Sequence, residues 1–174
     1  MSNEEVHLPL TPDTHQVLYS EQILVKGQSQ TVLSGRGKRW LCTYLQRPSQ
    51  GKTSEQQEAM SSPGEQVYQL QAQGLAIPYT LHYLVTLRTD AGRYRYTISN
   101  FTVELHPDPD HPKPAFFPLE KYLEAIFIPR SNEEQMVAQF QQHVQACANQ
   151  LAASLKQAMR STTTLGSPSV TLQR

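Results

Sequence analysis

Between Tyr79 and Pro107 the chain reads YTLHYLVTLRTDAGRYRYTISNFTVELHP, and its apolar residues alternate closely enough to predict strand, turn and strand. Tyr79, Leu81, Tyr83, Val85 and Leu87 fall at every second position, so they share one face. Thr80, His82, Thr86 and Arg88 point the other way, with Leu84 the one apolar exception. In the second half Tyr94, Tyr96 and Ile98 stand opposite Arg93, Arg95 and Thr97. The cluster Thr89-Asp90-Ala91-Gly92 between them forms turns readily, because its glycine takes positive φ at no steric cost. A three-residue loop would pair Thr89 with Arg93 and set the second apolar run beside the polar side of the first. A four-residue loop pairs Arg88 with Arg93, Leu87 with Tyr94 and Val85 with Tyr96, giving one common apolar face, and is the loop predicted. After Ile98 the next apolar set is Phe101, Val103 and Leu105, three residues on instead of two. An extra residue at Ser99 or Asn100, a β-bulge, restores the inward set.

The pattern elsewhere supplies the other elements. Residues 1–15 read as a loose arm, and 16–26 as a strand with Ile23 and Val25 inward. Ser29 is placed to cap a helix over 30–44, whose stripe is Leu33, Gly37, Trp40, Leu41 and Tyr44. Gly37 on that stripe predicts close approach to a sheet. The polar run 48–64, bounded by prolines, predicts a mobile loop. Residues 66–77 form a strand with Tyr68, Leu70 and Ala72 inward, ended by Pro78. An extended Pro-rich linker follows over 106–115, then a short helix over 116–127. The capping-box run Ser131 to Glu134 opens the longest helix, reaching about Arg160, with Val137, Phe140, Val144, Cys147, Leu151 and Leu155 on one stripe. Residues 161–174 lack periodicity and read as a flexible tail.

These elements predict one α+β domain over 16–160: a four-stranded antiparallel sheet, order β-α-β-β-β-α, with both helices on one face. The other face is left to solvent or a partner. Gln69, Gln71, His82, Thr86, Arg88, Arg93, Arg95 and Thr97 share that open side, and they are the candidate binding residues.

Composition narrows the chemistry. Fifteen Lys and Arg balance fifteen Asp and Glu, so nothing draws the chain electrostatically to nucleic acid, and Arg36, Lys38 and Arg39 read as a solvated helix face. Tyr79, Tyr83, Tyr94 and Tyr96 fall on the inward set, which assigns them to the core and not to base stacking. No run approaches the roughly 20 apolar residues needed to span a bilayer. His106, Asp108, Asp110 and His111 have metal-ligand chemistry, but Pro107, Pro109 and Pro112 hold that run extended, so no metal or other cofactor is expected. Cys42 and Cys147 make no CxxC, and the expectation is two separate buried thiols. No base is positioned to activate either of them, so no catalytic residue is assigned.

Ser29, Trp40, Gly74 and above all the run Gly92 to Phe101, GRYRYTISNF, carry a resemblance over residues 16–107. The chain resembles an uncharacterised family of bacterial proteins with a TATA-binding-protein-like fold. The resemblance implies that fold and, because members are usually exported, a place in the cell envelope. The chain begins MSNEEVHLPLTPDT, an acidic and polar run unlike a signal peptide. The family has no assigned activity, so it implies no catalytic residue. A non-enzymatic binding or interaction module, recognising a protein or small molecule through the open face, is the function expected. The alternative is a helix-grip carrier, holding a small apolar ligand between the long helix and a curved sheet.

Overall fold

Leu87 lies on the inward face of the central hairpin, and α1 comes down on it so closely that only a glycine fits between them. A computed structural model describes residues 8–45, 50–54, 57–121 and 133–160. The elements are β1 (Tyr19–Leu24), α1 (Gln30–Tyr44), β2 (Gln50–Ser54), β3 (Gln57–Ala72), β4 (Leu75–Asp90), β5 (Arg93–Leu105), β6 (Ala115–Pro118) and α2 (Glu133–Arg160). All strands pair antiparallel in the order β1-β5-β4-β3-β2, and β6 lies beside β1 along the same edge of β5. Both helices cover one face, so the architecture is the expected α+β arrangement, with six strands instead of four.

The inward face is a continuous core. Tyr79, Leu81, Tyr83, Val85, Leu87, Tyr94, Tyr96, Ile98, Phe101 and Val103 are all buried, as the alternation predicts. α2 lays Phe140, Val144, Cys147, Leu151, Leu155 and Met159 over them. Ser29 caps α1, its hydroxyl accepting from the Val32 N–H at 3.2 Å. Polar tips of core residues find partners at the rim. The Trp40 indole donates to Ser154 at 2.9 Å, and the Tyr96 hydroxyl donates to Glu21 Oε2 at 2.7 Å. Lys156 reaches the same oxygen at 2.7 Å, tying β1 to α2, and the two bonds hold the Glu21 carboxyl below its ordinary range.

The predicted bulge is present. Val85 pairs with Ile98 and Leu84 with Ser99, but His82 pairs with Thr102, so β5 carries one extra residue there. Asn100 takes it up with φ of 54°, in the left-handed region that asparagine tolerates better than most residues.

Several expectations are corrected. The hairpin closes on two residues, Ala91 and Gly92, and not on four: Asp90 pairs with Arg93, Leu87 with Tyr96 and Val85 with Ile98. A slip of two residues keeps every side chain on its predicted face, so alternation cannot tell the two registers apart. Backbone contacts decide it. Gly92, at φ of 74°, donates to the Gln28 carbonyl and accepts from the Val25 N–H, both at 2.8 Å, locking the tight loop against the end of β1.

Residues 48–64, expected as a mobile loop, carry β2 and the first half of β3, with Met60 and Ser62 buried. β3 and β4 then turn through Gln73 and Gly74, both at positive φ, as a two-residue hairpin of type I′ requires. Pro78 therefore lies inside β4 instead of ending a strand. The N–H and C=O of Gln71 point away from β4, to the Gln139 side chain, at 2.7 and 2.9 Å. By alternation Pro63 and Pro78 also fall at pairs whose backbone groups turn out of the β3–β4 ladder, where the missing N–H costs no bond. The 106–115 run is not extended, because Asp108 and His111 exchange backbone hydrogen bonds at 3.0 and 3.1 Å. Residues 115–118, expected to open a helix, are β6, pairing with β5. The arm residues 1–7, residues 122–127 of the expected short helix, Ser131 and Asn132 of the capping box and the tail 161–174 lie outside the described residues.

Two stability measurements follow from this packing. A Cβ on Gly37 would lie 2.3 Å from Leu87 Cδ2 and 3.1 Å from Met60 Cε, whereas one on Gly35 meets nothing within 4 Å. Urea denaturation should show Gly35→Ala stabilising by up to about 1 kcal/mol, and Gly37→Ala destabilising by about 1–2 kcal/mol through overpacking. A gain from both would mean that α1 does not press on the sheet. Val144, fully buried, should tolerate no carboxylate: Val144→Asp should cost more than about 3 kcal/mol or abolish folding, and an unchanged melting temperature would refute its burial.

Candidate binding face of the sheet

The outward sides of β1, β5, β4 and β3 form the face that no described helix covers. All eight candidate residues occupy outward register positions on it, but they do not form one cluster. Arg88, Arg93 and Arg95 lie at the hairpin end with Thr86 and Thr97 just behind them. Gln69 and Gln71 lie at the far end of β3, opposite Pro78 and Ala76. Twelve residues separate Ala76 from Arg88 along β4, roughly 40 Å. His82 sits between.

The arginine end differs in detail from the expected pairing. Arg88 faces Arg95 directly, where Arg93 had been expected, and Thr86 faces Thr97. Arg93 instead faces Asp90 and donates to Asp90 Oδ2 from Nε at 3.3 Å. Arg95 Nη2 donates to Gln22 Oε1 on β1 at 3.1 Å. Together Gln22, Arg88, Asp90, Arg93 and Arg95 line an open depression of about 330 Å³. Directly opposed like charges on neighbouring strands repel by a few tenths to about 1 kcal/mol. The Gln22 oxygen and the Asp90 carboxylate offset part of that repulsion, and their geometry spreads three guanidinium groups around one hollow.

Past the bulge the same face becomes acidic. His82 Nε2 lies 2.5 Å from Glu104 Oε2 on β5, and its Nδ1 lies 3.5 Å from Glu65 Oε2 on β3. Thr80, nearly buried, bonds His106 Nε2 at 2.7 Å. Neither glutamate was singled out from the sequence. Glu65 falls between the expected loop over 48–64 and the expected strand over 66–77, so the pattern gives it no face, whereas Glu104 is legible as outward-facing once the bulge is placed.

The residues weighed for other chemistry have structural roles. Among the described residues no three His, Cys, Asp or Glu side chains converge to hold a metal ion. Asp108 accepts from the backbone N–H groups of Asp110 and His111 at 2.9 and 2.6 Å. These bonds hold its carboxyl below the ordinary range. Arg36, expected to be solvated, donates to the Met159 carbonyl at 2.7 Å and so caps the last turn of α2. Cys42 is exposed, which corrects its expected burial, and both thiols are free. Cys147 is buried, and burial pushes its thiol up to about 11. His143, one turn before it, stacks on Tyr68 with centroids 4.5 Å apart and shares a 2.8 Å hydrogen bond with the Tyr79 hydroxyl. Its partial burial lowers its pKa, which favours the neutral imidazole. A protonated thiol beside a committed imidazole is a poor nucleophile.

No family model matches the chain, and no curated protein matches it. The fold itself has solved relatives. The chain is similar to a DUF4468 family protein from Bacteroides ovatus, with a TM-score of 0.63 and 12% identity over 90% of this chain and 92% of that one. It is also similar to a TBP-like protein from Parabacteroides distasonis, with a TM-score of 0.57 and 12% identity over 86% and 97%. The chain thus has the TBP-like fold that the resemblance implies. No described helix is long and apolar enough to cross a membrane.

The two cysteines separate under native alkylation. Iodoacetamide at mildly alkaline pH should label Cys42 readily and Cys147 only after denaturation, as peptide mapping by mass spectrometry would show. Equal native labelling would contradict the burial of Cys147.

Proposed function

We propose that this chain is a non-enzymatic binding module whose outward sheet face recognises carboxylate groups. The observation that carries the reading is the hollow lined by Arg88, Arg93 and Arg95. Guanidinium groups present paired N–H donors in a fixed fork that matches a carboxylate, and such charge-assisted bonds are about twice as strong as neutral ones. Carboxylates placed over the Arg88/Arg95 pair would relieve the repulsion between them, so binding and strain relief act together. Cys147 is buried and the half-buried His143 is bonded to the Tyr79 hydroxyl, so this pair of residues fits a packing role, which supports binding over catalysis.

The carrier alternative draws less support. Its ligand would have to lie between α2 and the sheet, where Phe140 packs on Tyr79 at 4.8 Å and the α2 side chains named above fill the space.

A glutamate-rich peptide is the direct probe. At low salt it should shift the amide resonances of Arg88, Thr89 and Arg95 in NMR titration. Arg88→Gln with Arg95→Gln should weaken binding at least about tenfold and leave the melting temperature nearly unchanged, both side chains being exposed. Equal affinity in the variant would overturn the reading.

A further inference from the structure

The outward face carries opposite charges at its hairpin end and at its middle. Arg88, Arg93 and Arg95 hold the hairpin end, with Asp90 against them; Glu65 and Glu104 lie about 20 Å back along the strands, with His82 between them. We infer that this face is a two-fold interface and that its partner is a second copy of the same chain. The inference rests on the carboxylate-binding reading and names the source of the carboxylates.

Symmetry makes such a face complementary to itself. A two-fold axis lying in the plane of the face, perpendicular to the strands and midway between His82 and Arg88, turns the face over and reverses its strands. The arginine end of each copy then lies over the glutamate end of the other, and the contact forms twice. Arg88 and His82 are six residues apart on β4, about 20 Å, so the two ends are separated well beyond a Debye length at physiological salt, about 8 Å. Each end therefore acts as a distinct charge.

The band between the ends permits close approach. It carries Ser61, Pro63, Leu84, Thr86, Thr97 and Ser99, which are short or apolar, so two sheets could pack at the usual spacing of about 10 Å. The overlap about that axis runs from Thr80 to Asp90 along β4, about 33 Å, and is four strands wide at about 4.8 Å each, roughly 630 Å² per copy. A specific interface buries about 600–1,000 Å² per partner, so the overlap falls at the lower end of that range. A partner of one sign would satisfy one end and leave the other unmatched. The chain itself, with fifteen charges of each sign, matches both.

Sedimentation equilibrium of this chain at low salt, from micromolar to millimolar concentration, should give twice the 19.7 kDa of one copy. The mass should fall toward one copy as salt is raised. Arg88→Glu with Arg95→Glu makes both ends acidic. Glu65→Lys with Val67→Lys, both exposed, makes both ends basic and leaves the His82–Glu104 contact in place. Each variant alone should be monomeric, and an equimolar mixture should regain the dimer. A wild-type chain that stays monomeric throughout overturns self-association, while the peptide titration above still decides carboxylate binding. A dimer that survives both reversals uses another surface and overturns the inference, as does a mixture of folded variants that stays monomeric. Should a reversed variant fail to fold, Arg88→Gln with Arg95→Gln must raise the dimer dissociation constant at least about tenfold; an unchanged constant overturns the inference.

Discussion

The extra residue at Asn100 is the constraint on which both faces of the sheet depend. β5 must turn Tyr94, Tyr96 and Ile98 inward in its first half and Phe101, Val103 and Leu105 inward in its second, and strict alternation cannot do both. Without the bulge the second set would face outward, forfeiting the burial of two fully covered side chains and one partly covered. Each full burial is worth about 1.5–3 kcal/mol. The same shift keeps Thr102 and Glu104 outward, so the acidic end of the outer face exists only because the strand changes phase. The bulge also divides the far edge of β5, with β1 pairing as far as Ile98 and β6 beginning at Thr102. Core, charge pattern and strand order thus share one origin.

Tyrosine-rich cores need exits for their hydroxyls, and this one places them at its margins. Tyr79 meets His143, Tyr96 meets Glu21, and the Trp40 indole meets Ser154, so three of the large inward residues end on α2 or β1. The bonds orient both elements on the sheet as well as satisfying polar atoms. Tyr19 is the exception among the described residues. Its ring packs edge-on against Phe101 at 6.1 Å, its buried hydroxyl has no partner, and burial pushes its pKa up to about 12.

What the sequence discloses here follows from period. Side-chain direction has a period of two, so the inward sets of β4 and β5, the bulge and the outward position of all eight candidate residues could be read directly. Pairing register was less accessible, because a slip of two leaves every direction unchanged; hence Arg88 faces Arg95 and not Arg93. β2 and the start of β3 were concealed by Ser, Gln, Glu and Pro, residues that ordinarily mark loops. They form strands because β4 is long enough to pair with the start of β3, which in turn pairs with β2, and Gly64 leaves room for the Tyr83 ring, whose atoms lie 2.4–2.7 Å from where a Cβ would stand. Tertiary contact outweighs local preference at such positions. The exposure of Cys42 depended on how far α1 rolls toward the sheet, which the close contact at Gly37 fixes and no pattern in the helix announces.

Gln139 has an effect that reaches beyond the folded molecule. Its amide both accepts from and donates to the backbone of Gln71, imitating one residue of a neighbouring strand at the margin of β3. Beyond β2, the outward-directed backbone positions of β3 are Pro63, Glu65, Val67, Gln69 and Gln71. Proline offers no donor, Gln71 is already occupied, and Glu65 brings a charge. On the opposite margin, β1 and β6 are six and four residues long and do not meet. The long strands, which alone could template growth of a cross-β stack, are thereby kept from presenting an unbroken ribbon to another chain. A sheet this large and this rich in tyrosine is thus guarded along its rim against pairing with its own kind.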